Sequence, residues 1–558
     1  MASRLPISAR EFSGFMSKVN LKYKERIGVA VSGGMDSMAL CYLLNQYCKK
    51  SGNQITAFII DHQLRKESTK EASQISNILS TLEINNKIMK IQWKNVNISD
   101  LKTDNPNSSF PTKSQYETFA RIERYKLLAK GCNEYKISSL FVGHHLNDQL
   151  ETLIMRLSRG SGINGLASMS IISKFPVIRN IEAIGLQIVR PLLFVTKDRL
   201  KETCIEANIP WVEDPSNQSM DHKRNVVRFS LDKFNKRYHV ERKKEYEPLT
   251  TEGLSRFMSH MQYHKNCINS QVNEIINHSE IKFDKSNGIC TLILPDPIPT
   301  SHWILQKHLA IRIISKIITF VKCSEQPPRL ESVMRLYDHI LSFSTLSKTS
   351  RILPSHNMTS KYNNITLNNV LLCYEKKANH VLEAYEDILY EYWTFCRQPF
   401  SSKEESKSTI IIQNGQVVLW DKRFFIGINL VSQEVKKETL NDSDNSILLQ
   451  PQYYIRRLCN KDIYGIIEAK TEATHAIYKD IIERYKKSAP SIARFCIPAV
   501  IEKSYFISSG NILRESEKIV SIPTLGISLK PESISCWAKF RGNVLIDMDD
   551  LVKNNFIP

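Results

Sequence analysis

The sequence predicts an α/β fold, a doubly wound parallel sheet with helices on both faces, followed by a mostly helical domain and a small α+β C-terminal domain. Two observations predict the sheet. Short β-branched runs alternate with helical stretches from Arg26 to about Ile209, an alternation typical of parallel sheets. A glycine-rich turn, "SGGMDS", follows the first of these runs, and ligands of such sheets bind at the carboxyl ends of strands.

The strands and helices of this first region follow one another regularly. The strands read "RIGVAV", "ITAFIID", "NKIMKIQW" and "SSLFVGHH", and helices are predicted over 38–48, 67–82, 114–129 and 147–157. Polar turns leave the carboxyl ends of the strands at 32–37, 61–65, 97–111 and 144–148. Because these ends meet at one edge of a parallel sheet, we expect all four turns to open onto one crevice.

Two further domains are predicted after the sheet. Basic residues crowd 223–244, which places a boundary near residue 235. Apolar residues recur at three and four spacing within 250–395, so the middle domain is predicted to be mostly helical. Two β-rich runs flank Asn414 and Gly415, a strong hairpin signal. The predicted domains are 1–235, 236–400 and 401–558.

The composition is that of a basic protein. The 558 residues include 76 Lys and Arg against 57 Asp and Glu, a formal net charge of +19. This excess favours a polyanionic partner, nucleic acid first, with an anionic membrane surface or plain solubility as alternatives. No apolar run approaches the roughly 18 residues of a membrane span. The twelve cysteines form no CxxC pair, which argues against a zinc ribbon or disulfide framework and favours a reducing compartment.

The N-terminus allows two interpretations. Arginine and serine outnumber acidic residues there, as in an organelle transit peptide, so we expect a mitochondrial protein, with the cytoplasm as the alternative. The apolar residues would otherwise form one face of a helix in the folded domain: Phe12, Phe15, Met16 and Val19.

The turn "SGGMDS" is predicted to bind an anion. Gly33 and Gly34 separate a strand from a helix that begins near Asp36, and the free N–H groups of a helix start point at whatever occupies the turn. The Walker A pattern is absent. Ser32 and Ser37 add hydroxyl donors, and Asp36 suits such a site if it holds a divalent cation that bridges phosphates. An ordinary strand-to-helix turn is the alternative.

Two more motifs carry polar groups toward the same edge. In "GHHLNDQLET", His144, Asp148 and Glu151 would share one helix face, which could hold a metal or position an acceptor amine; a capped helix N-terminus is the alternative. In "ARIERYKLL", Arg121 and Arg124 suit bidentate phosphate binding, with salt bridges to Glu117 or Glu123 as the alternative.

Together these motifs resemble the PP-loop superfamily of N-type ATP pyrophosphatases and, within it, the tRNA(Ile)-lysidine synthetases. SGGxDS is the superfamily's pyrophosphate loop. "DHQLR", "ARIERY", "GHHLNDQLETLIMRLSRGSGINGL", "IVRPLLFVTKDRL" and "HKRNVVR" follow the narrower family's order and spacing over 27–228. Two later stretches, "VLWDKRFFI" and "KSAPSIARFCIPAVIEKS", are similar to the family's C-terminal region.

The resemblance implies an ATP-dependent ligase that uses Mg2+. Such enzymes adenylate the wobble cytidine of a CAU-anticodon isoleucine tRNA, and free lysine then displaces AMP to form lysidine. The middle and C-terminal domains would bind the tRNA, and no membrane partner is expected. The oligomeric state stays open, with a homodimer among the options.

The resemblance also implies residue roles. ATP and pyrophosphate would bind Ser32, Gly33, Gly34, Met35, Asp36 and Ser37, with Asp61, His62 and Arg65 on the adenine or lysine side. Asp36, His144, Asp148 and Arg121 would be catalytic, and Asp36 and Asp148 would be the metal ligands. Substrate or tRNA would contact Arg124, Glu151, Arg224 and Arg228.

Two other functions stay open. A PP-loop tRNA thiolase would share ATP, tRNA and an HHxxD helix, but thiolases use paired cysteines, and Cys132, the nearest to this helix, stands alone. A non-catalytic tRNA-binding protein would not need Asp36 and Asp148 at the crevice. The segment 98–113 is longer and richer in Asn and Ser than the family pattern.

Overall fold

The computed structural model divides the chain into two compact units, Met1–Asn269 and Ser270–Pro558. It describes residues 5–19, 21–63, 67–93, 113–176, 181–212, 223–241, 243–278, 281–324, 327–349, 364–367, 369–379, 388–405, 408–431, 447–448, 451–468, 475–508 and 511–542. The predicted turn at 97–111 and Arg65 therefore lie outside the described residues.

The first unit alternates strands and helices as the sequence predicts. Its strands are β1 (Arg26–Val31), β2 (Gln54–Asp61), β3 (Asn85–Lys90), β4 (Ser139–Phe141), β5 (Ile172–Lys174) and β6 (Gln187–Val189). Its helices are α1 (Ala9–Met16), α2 (Met35–Ser51), α3 (Ser68–Thr81), α4 (Lys113–Glu134), α5 (Leu146–Leu157), α6 (Ile163–Leu166), α7 (Lys197–Glu206) and α8 (Lys223–Glu241), and α9 (Thr251–His278) begins here.

The described strands of this unit form one sheet in the order β3-β2-β1-β4-β6-β5. All neighbouring pairs are parallel except β5 with β6. The chain winds outward from β1 to β3 and then returns to the other side of β1, so the order reverses between β1 and β4. Ligands of doubly wound sheets bind at this switch point, beyond the carboxyl ends of the strands. The fold class predicted from the sequence is confirmed.

Two apolar cores cover the two faces of this sheet. Successive side chains of a strand point to opposite faces, so Ile27, Val29 and Val31 of β1 enter the core shared with α2 and α7. Phe58 of β2 and Leu140 of β4 point the other way, into the core beneath α4. This two-sided burial explains why the strands read as nearly continuous apolar runs.

Helix α1 is part of the folded unit. Ser8 caps it by accepting a hydrogen bond from the Glu11 N–H at 3.2 Å, and Phe12 and Met16 are buried in the core. The Glu11 carboxylate pairs with Arg199 of α7 at 2.6 Å. The structure therefore matches the interpretation of this segment as a helix of the domain.

The second unit consists of helices and antiparallel sheets. Its helices are α10 (Lys307–Lys322), α11 (Leu330–Thr349), α12 (Ser402–Glu405), α13 (Asn460–Glu468) and α14 (His475–Ser488). Its strands are β7 (Ile281–Asp284), β8 (Ile289–Asp296), β9 (Ile365–Leu367), β10 (Val370–Asn379), β11 (Ile388–Arg397), β12 (Ile410–Ile412), β13 (Val417–Trp420), β14 (Phe424–Leu430), β15 (Ile447–Leu448), β16 (Gln452–Arg457), β17 (Pro498–Ser508), β18 (Asn511–Ile522), β19 (Ile527–Ser528) and β20 (Ile534–Phe540). Short 3-10 helices occur at Ile181–Ala183, Lys244–Leu249, Trp303–Leu305, Ser491–Cys496 and Pro523–Leu525.

The middle of the chain contains a sheet that the helical periodicity did not predict. Helices α9, α10 and α11 are present, but β7 to β11 also form an antiparallel sheet in the order β7-β8-β11-β10-β9. The helical periodicity of this region comes from its few long helices. Its strands, such as "ICTLILPD", are apolar on both faces and therefore lack the alternation that would identify a strand. Short apolar runs of this kind do not distinguish strand from helix.

The hairpin predicted at Asn414 and Gly415 is wrong. The turn exists, with Gly415 at φ +72°, but β12 before it pairs with β16 and β13 after it pairs with β14. The hairpin of this region joins β13 to β14 through Asp421 and Lys422, both with positive φ. Two consecutive residues with positive φ give a turn whose twist matches that of the flanking antiparallel strands. The hairpin therefore forms at these two residues and not at Asn414 and Gly415.

Among the described residues, every helix is too short or too polar to serve as a membrane span.

The domain boundaries near 235 and 400 stay a prediction.

Candidate active site

The turn between β1 and α2 is an anion cradle. Gly33 has φ +83°, a conformation that favours glycine, and Gly34 caps α2 without a side-chain hydrogen bond. The N–H groups of Met35 and Asp36 begin α2 and have no intrahelical acceptor, whereas the Ser37 N–H already donates to the Gly34 carbonyl at 3.0 Å. The Ser37 hydroxyl donates to the Gly34 carbonyl at 2.8 Å and accepts from the Ser32 N–H at 3.2 Å, which fixes the loop.

The end of β4 approaches this turn closely. A Cβ atom at Gly143 would lie 2.9 Å from the Asp36 carbonyl oxygen and 3.1 Å from the Ser37 nitrogen. Both atoms are backbone and cannot move aside as a side chain could. Glycine at this position therefore allows the "GHHLND" segment to lie beside the "SGGMDS" turn.

A cavity of about 670 Å3 opens at this switch point. Its walls come from the ends of β1, β2 and β4 and from α3 and α4. The predicted site residues among its lining are Ser32, Gly34, Asp36, Ser37, His62, Arg124 and His144. The sheet therefore brings three of the four predicted turns to one crevice, and the fourth is outside the described residues.

His145 is a site residue that the sequence analysis missed. Its Nε2 atom lies 3.4 Å from Asp36 Oδ2 and 3.6 Å from Asp148 Oδ2, and only 3% of its side chain is exposed. Its backbone N–H donates to Asp148 Oδ2 at 3.1 Å at the start of α5. A signal was available, because an acid three residues after a helix cap is typical of capping boxes.

His144 does not lie on α5, since the helix begins at Leu146. The prediction that it shares a helix face with Asp148 and Glu151 is therefore wrong. It lines the cavity instead, while Asp148 and Glu151, three residues apart on α5, face α8.

The two histidines have opposite pKa shifts. Burial lowers the pKa of His144 to about 4, and the charge of Asp148 does not compensate for it. Burial also acts to lower the pKa of His145, but its hydrogen bond to Asp36 and the charges of Asp148 and Asp36 raise it above its ordinary value. At neutral pH the site thus holds a neutral His144 beside His145, whose protonated form is favoured by the two carboxylates.

Two arginines of α8 bind the acids of α5. Arg224 reaches Asp148 Oδ1 at 2.7 Å and Glu151 Oε2 at 2.5 Å, and Arg228 reaches Glu151 Oε1 at 2.7 Å. Burial acts to raise the pKa of Asp148, but its electrostatic interactions, those with His145 and Arg224 among them, hold the pKa below its ordinary value. Both oxygens of Asp148 and of Glu151 are therefore engaged by other side chains.

The turn after β2 is held by a buried acid. Asp61 is 1% exposed; its Oδ1 accepts from Ser68 Oγ at 2.6 Å and from the Gln63 N–H at 3.0 Å, and its Oδ2 accepts from Thr69 Oγ1 at 2.8 Å. Burial acts to raise its pKa, but these hydrogen bonds bring the pKa below the ordinary value. Asp61 therefore fixes the turn that contains His62, and a ligand contact by Asp61 itself stays a prediction.

Arg121 and Arg124 flank Tyr125 on α4. Their guanidinium carbons lie 5.1 Å and 5.2 Å from the ring centroid, within cation–π distance. The proposed alternative partner Glu123 pairs with Lys126 at 2.6 Å instead, and the Glu117 side chain is outside the described residues. In the described part of the chain, neither arginine has a carboxylate partner.

A divalent cation bound to phosphates needs only one or two protein carboxylates. Asp36 fits this need, because its Oδ1 atom is buried and has no hydrogen-bond partner among the described residues. Asp148 fits it less well, since both its oxygens are engaged. No group of three or more His, Cys, Asp or Glu side chains in the described ranges is placed to hold a metal without a substrate.

Comparisons with known proteins show what this chain is similar to. Residues 5–233 match the family model of the PP-loop domain. The chain is 27% identical over 545 residues to a probable tRNA(Ile)-lysidine synthase of Schizosaccharomyces pombe, which covers 96% of this chain and 99% of that protein. It is 35% identical to a tRNA(Ile)-lysidine synthase of Orientia tsutsugamushi, over 36% of this chain and 40% of that protein.

Among solved structures, the chain is similar to the U34-tRNA thiolase NcsA of Methanococcus maripaludis. The TM-score is 0.34 and the identity 20%, over 45% of this chain and 78% of that one.

Proposed function

We propose that this chain, which belongs to the tRNA(Ile)-lysidine synthase family, uses ATP to attach free lysine to the wobble cytidine of a CAU-anticodon isoleucine tRNA, releasing AMP and pyrophosphate. One observation carries the proposal. The anion cradle of β1 and the polar segment of β4 line a single cavity at the switch point of the sheet. A nucleotide and an acceptor base can meet there.

The anion cradle would bind the phosphates of ATP. The free N–H groups at the start of α2 and the Ser32 hydroxyl offer donors without a lysine, and the Ser37 hydroxyl holds the loop in shape. The buried free oxygen of Asp36 would hold Mg2+, which would neutralise phosphate charge during adenylation of the cytidine oxygen. His145 fixes the other Asp36 oxygen and so orients the carboxylate.

His144 would contact the attacking amine of lysine. It lines the cavity, and its Nδ1 atom is buried with no hydrogen-bond partner among the described residues. Because its pKa of about 4 keeps it neutral, the imidazole has a lone pair that can accept a hydrogen bond from the amine. Arg121 and Arg124, which lack acid partners in the described ranges, would bind phosphate.

The site offers no reactive thiol for sulfur transfer. Cys41, Cys48 and Cys132 are buried, and burial raises their pKa to about 12. Burial likewise raises the pKa of Cys204 to about 11. A thiolate is the reactive form, so these residues favour lysine over sulfur as the incoming group.

The direct test is incorporation of labelled lysine into an unmodified CAU-anticodon isoleucine tRNA transcript, with ATP and Mg2+, followed by nucleoside analysis. We expect a lysine-bearing cytidine. The matched control is the same transcript with uridine at the wobble position, which should take up no lysine. AMP release without lysine incorporation would contradict the proposed acceptor, and labelled sulfur donors would then be tested.

We also propose a mitochondrial location, with the cytoplasm as the alternative. Its support is the arginine and serine content around Arg4 and Arg10 with few acids. Deleting this segment would remove α1 from the core, so the better test fuses residues 1–20 to a fluorescent protein. Import of the fusion into mitochondria is expected, and a diffuse cytoplasmic signal would contradict it.

A further inference from the structure

Arg190 is a half-buried cation that the mechanism above does not use. It directly follows β6, which pairs with β4 in the sheet, so it lies at the same edge as His144. Its Nη1 atom donates to the Ser170 carbonyl at 3.1 Å and to Ser173 Oγ at 2.8 Å. Its Nε atom is buried and makes no hydrogen bond with any described residue.

The charges around Arg190 are positive. Within the described part of the chain, no carboxylate lies at ion-pair distance from Arg190, Arg121 or Arg124. Burial lowers the pKa of Arg190, the Tyr125 hydroxyl opposes that shift, and Arg121 adds to it. Arg190 also acts electrostatically on His144. Arg190 and Arg124 are half-buried and stay charged, and a guanidinium that loses hydration without gaining an anion is costly, so we infer that this cluster is arranged for an anionic ligand.

The order of the sheet indicates which anion belongs here. The anion cradle lies at the end of β1, and the residues proposed for the adenine or lysine side, such as His62, follow β2. Arg190 lies on the opposite side, two strands from β1, or about 10 Å at the usual strand spacing. With either small substrate on the His62 side, the side of Arg190 is left for the RNA acceptor.

We propose that Arg190, with Arg124 nearby, forms a subsite for a phosphodiester of the acceptor RNA, next to the cytidine that reacts. The two hydrogen bonds of Nη1 hold the guanidinium in place, and its other terminal nitrogen remains to donate to a phosphate oxygen. This subsite would hold the backbone while the base turns into the cavity. The inference rests on the proposed function, and a phosphate of the nucleotide is the other source of the same chemistry.

The test measures equilibrium binding of the full-length chain to a CAU anticodon stem-loop RNA, without ATP or lysine. The RNA is compared with two versions that carry a neutral methylphosphonate on either side of the wobble cytidine. Arg190→Gln should weaken binding of the unmodified RNA about tenfold. One of the two methylphosphonates should weaken binding to the wild type by the same factor as Arg190→Gln. The same methylphosphonate should not weaken binding to the variant any further, because both changes remove the same contact.

Three controls can overturn the inference. Loss of ATP–Mg2+ affinity in Arg190→Gln with RNA affinity unchanged would assign the phosphate to the nucleotide. Ser173→Ala removes one hydrogen bond of Arg190 but keeps its charge. If this variant lost as much RNA affinity as Arg190→Gln, the role of Arg190 would be to hold β5 in place and not to bind phosphate. If Arg190→Gln does not fold, the wild-type protein is still tested with the two methylphosphonate RNAs. Unchanged affinity for both of them would refute the subsite.

The binding assay is independent of the chemistry. If the wild type transfers no lysine but the RNA-binding results hold, the proposed function fails and the subsite stands. If lysine is transferred while neither methylphosphonate matters, the function stands and the subsite fails.

Discussion

At the scale of single residues, the site is organised around His145. Its imidazole lies between Asp36 and Asp148, within 3.6 Å of both, and so couples the anion cradle to α5. His144, one residue earlier, faces the cavity and is neutral. The two adjacent histidines therefore have different roles. His145 is the N-cap residue of α5 and lies between two carboxylates, whereas His144 lines the cavity.

Asp36→Asn is expected to abolish adenylation while preserving the fold. The amide can still accept a hydrogen bond from His145, but it binds Mg2+ poorly, so tRNA-dependent ATP–pyrophosphate exchange should fall at least about a hundredfold. RNA binding should change little. Thermal melting is the control, and unfolding of the variant would make Asp36 a structural residue.

His144 should make stability depend on pH in a defined direction. Its pKa is about 4 in the folded state against an ordinary 6.5, so between these values the unfolded chain binds a proton that the folded chain does not. The wild type should therefore lose up to about 3 kcal/mol of unfolding free energy relative to His144→Gln as the pH falls through this window. Urea unfolding at pH 7 and pH 4.5 measures the difference; a constant difference would contradict it.

At the scale of elements, α5 and α8 are joined by charge. Glu151 is 1% exposed and accepts hydrogen bonds from both Arg224 and Arg228, while Asp148 takes a second contact from Arg224. These arginines were predicted as ligand contacts from sequence, and that role stays a prediction. In the described structure they fix the acidic face of α5 beside the cavity.

Glu151→Gln should loosen this connection. The change leaves two arginines facing a neutral amide, so we expect a loss of about 1–3 kcal/mol of unfolding free energy, measured by urea denaturation. Glu123→Gln is the matched control, because Glu123 pairs with a single described residue, Lys126 on the same helix, and its loss should cost about 0.5 kcal/mol or less. Equal losses in the two variants would refute the connection.

At the scale of the whole molecule, the chain carries 19 more positive than negative charges. Helix α8 displays part of this excess, since Lys233, Lys236 and Arg237 are exposed on it beside the exposed ring of Phe229. Basic side chains interleaved with an aromatic ring suit an RNA backbone with unstacked bases.

Affinity for tRNA should therefore fall steeply with salt. Each phosphate contact releases bound counterions, so a plot of log Kd against log salt should have a slope of about 4 or more. Filter binding between 50 and 300 mM KCl, a range chosen to bracket roughly physiological ionic strength, measures it. A slope near zero would mean that the basic surface does not bind the tRNA backbone.

The sequence by itself determined the α/β fold of the first unit, the glycine turn proposed as an anion cradle and the resemblance to the tRNA(Ile)-lysidine synthetases. These features are local, because a strand, two glycines and a helix start are contiguous in "RIGVAVSGGMDS", and alternating periodicity predicts the parallel sheet. Only the tertiary structure decided which residues meet. His145, Arg190 and the partners of Arg224 depend on side-chain direction at helix starts and strand ends that are far apart in sequence. The antiparallel sheet of the second unit was missed for a related reason, since strand pairing is a long-range property that short apolar runs do not reveal.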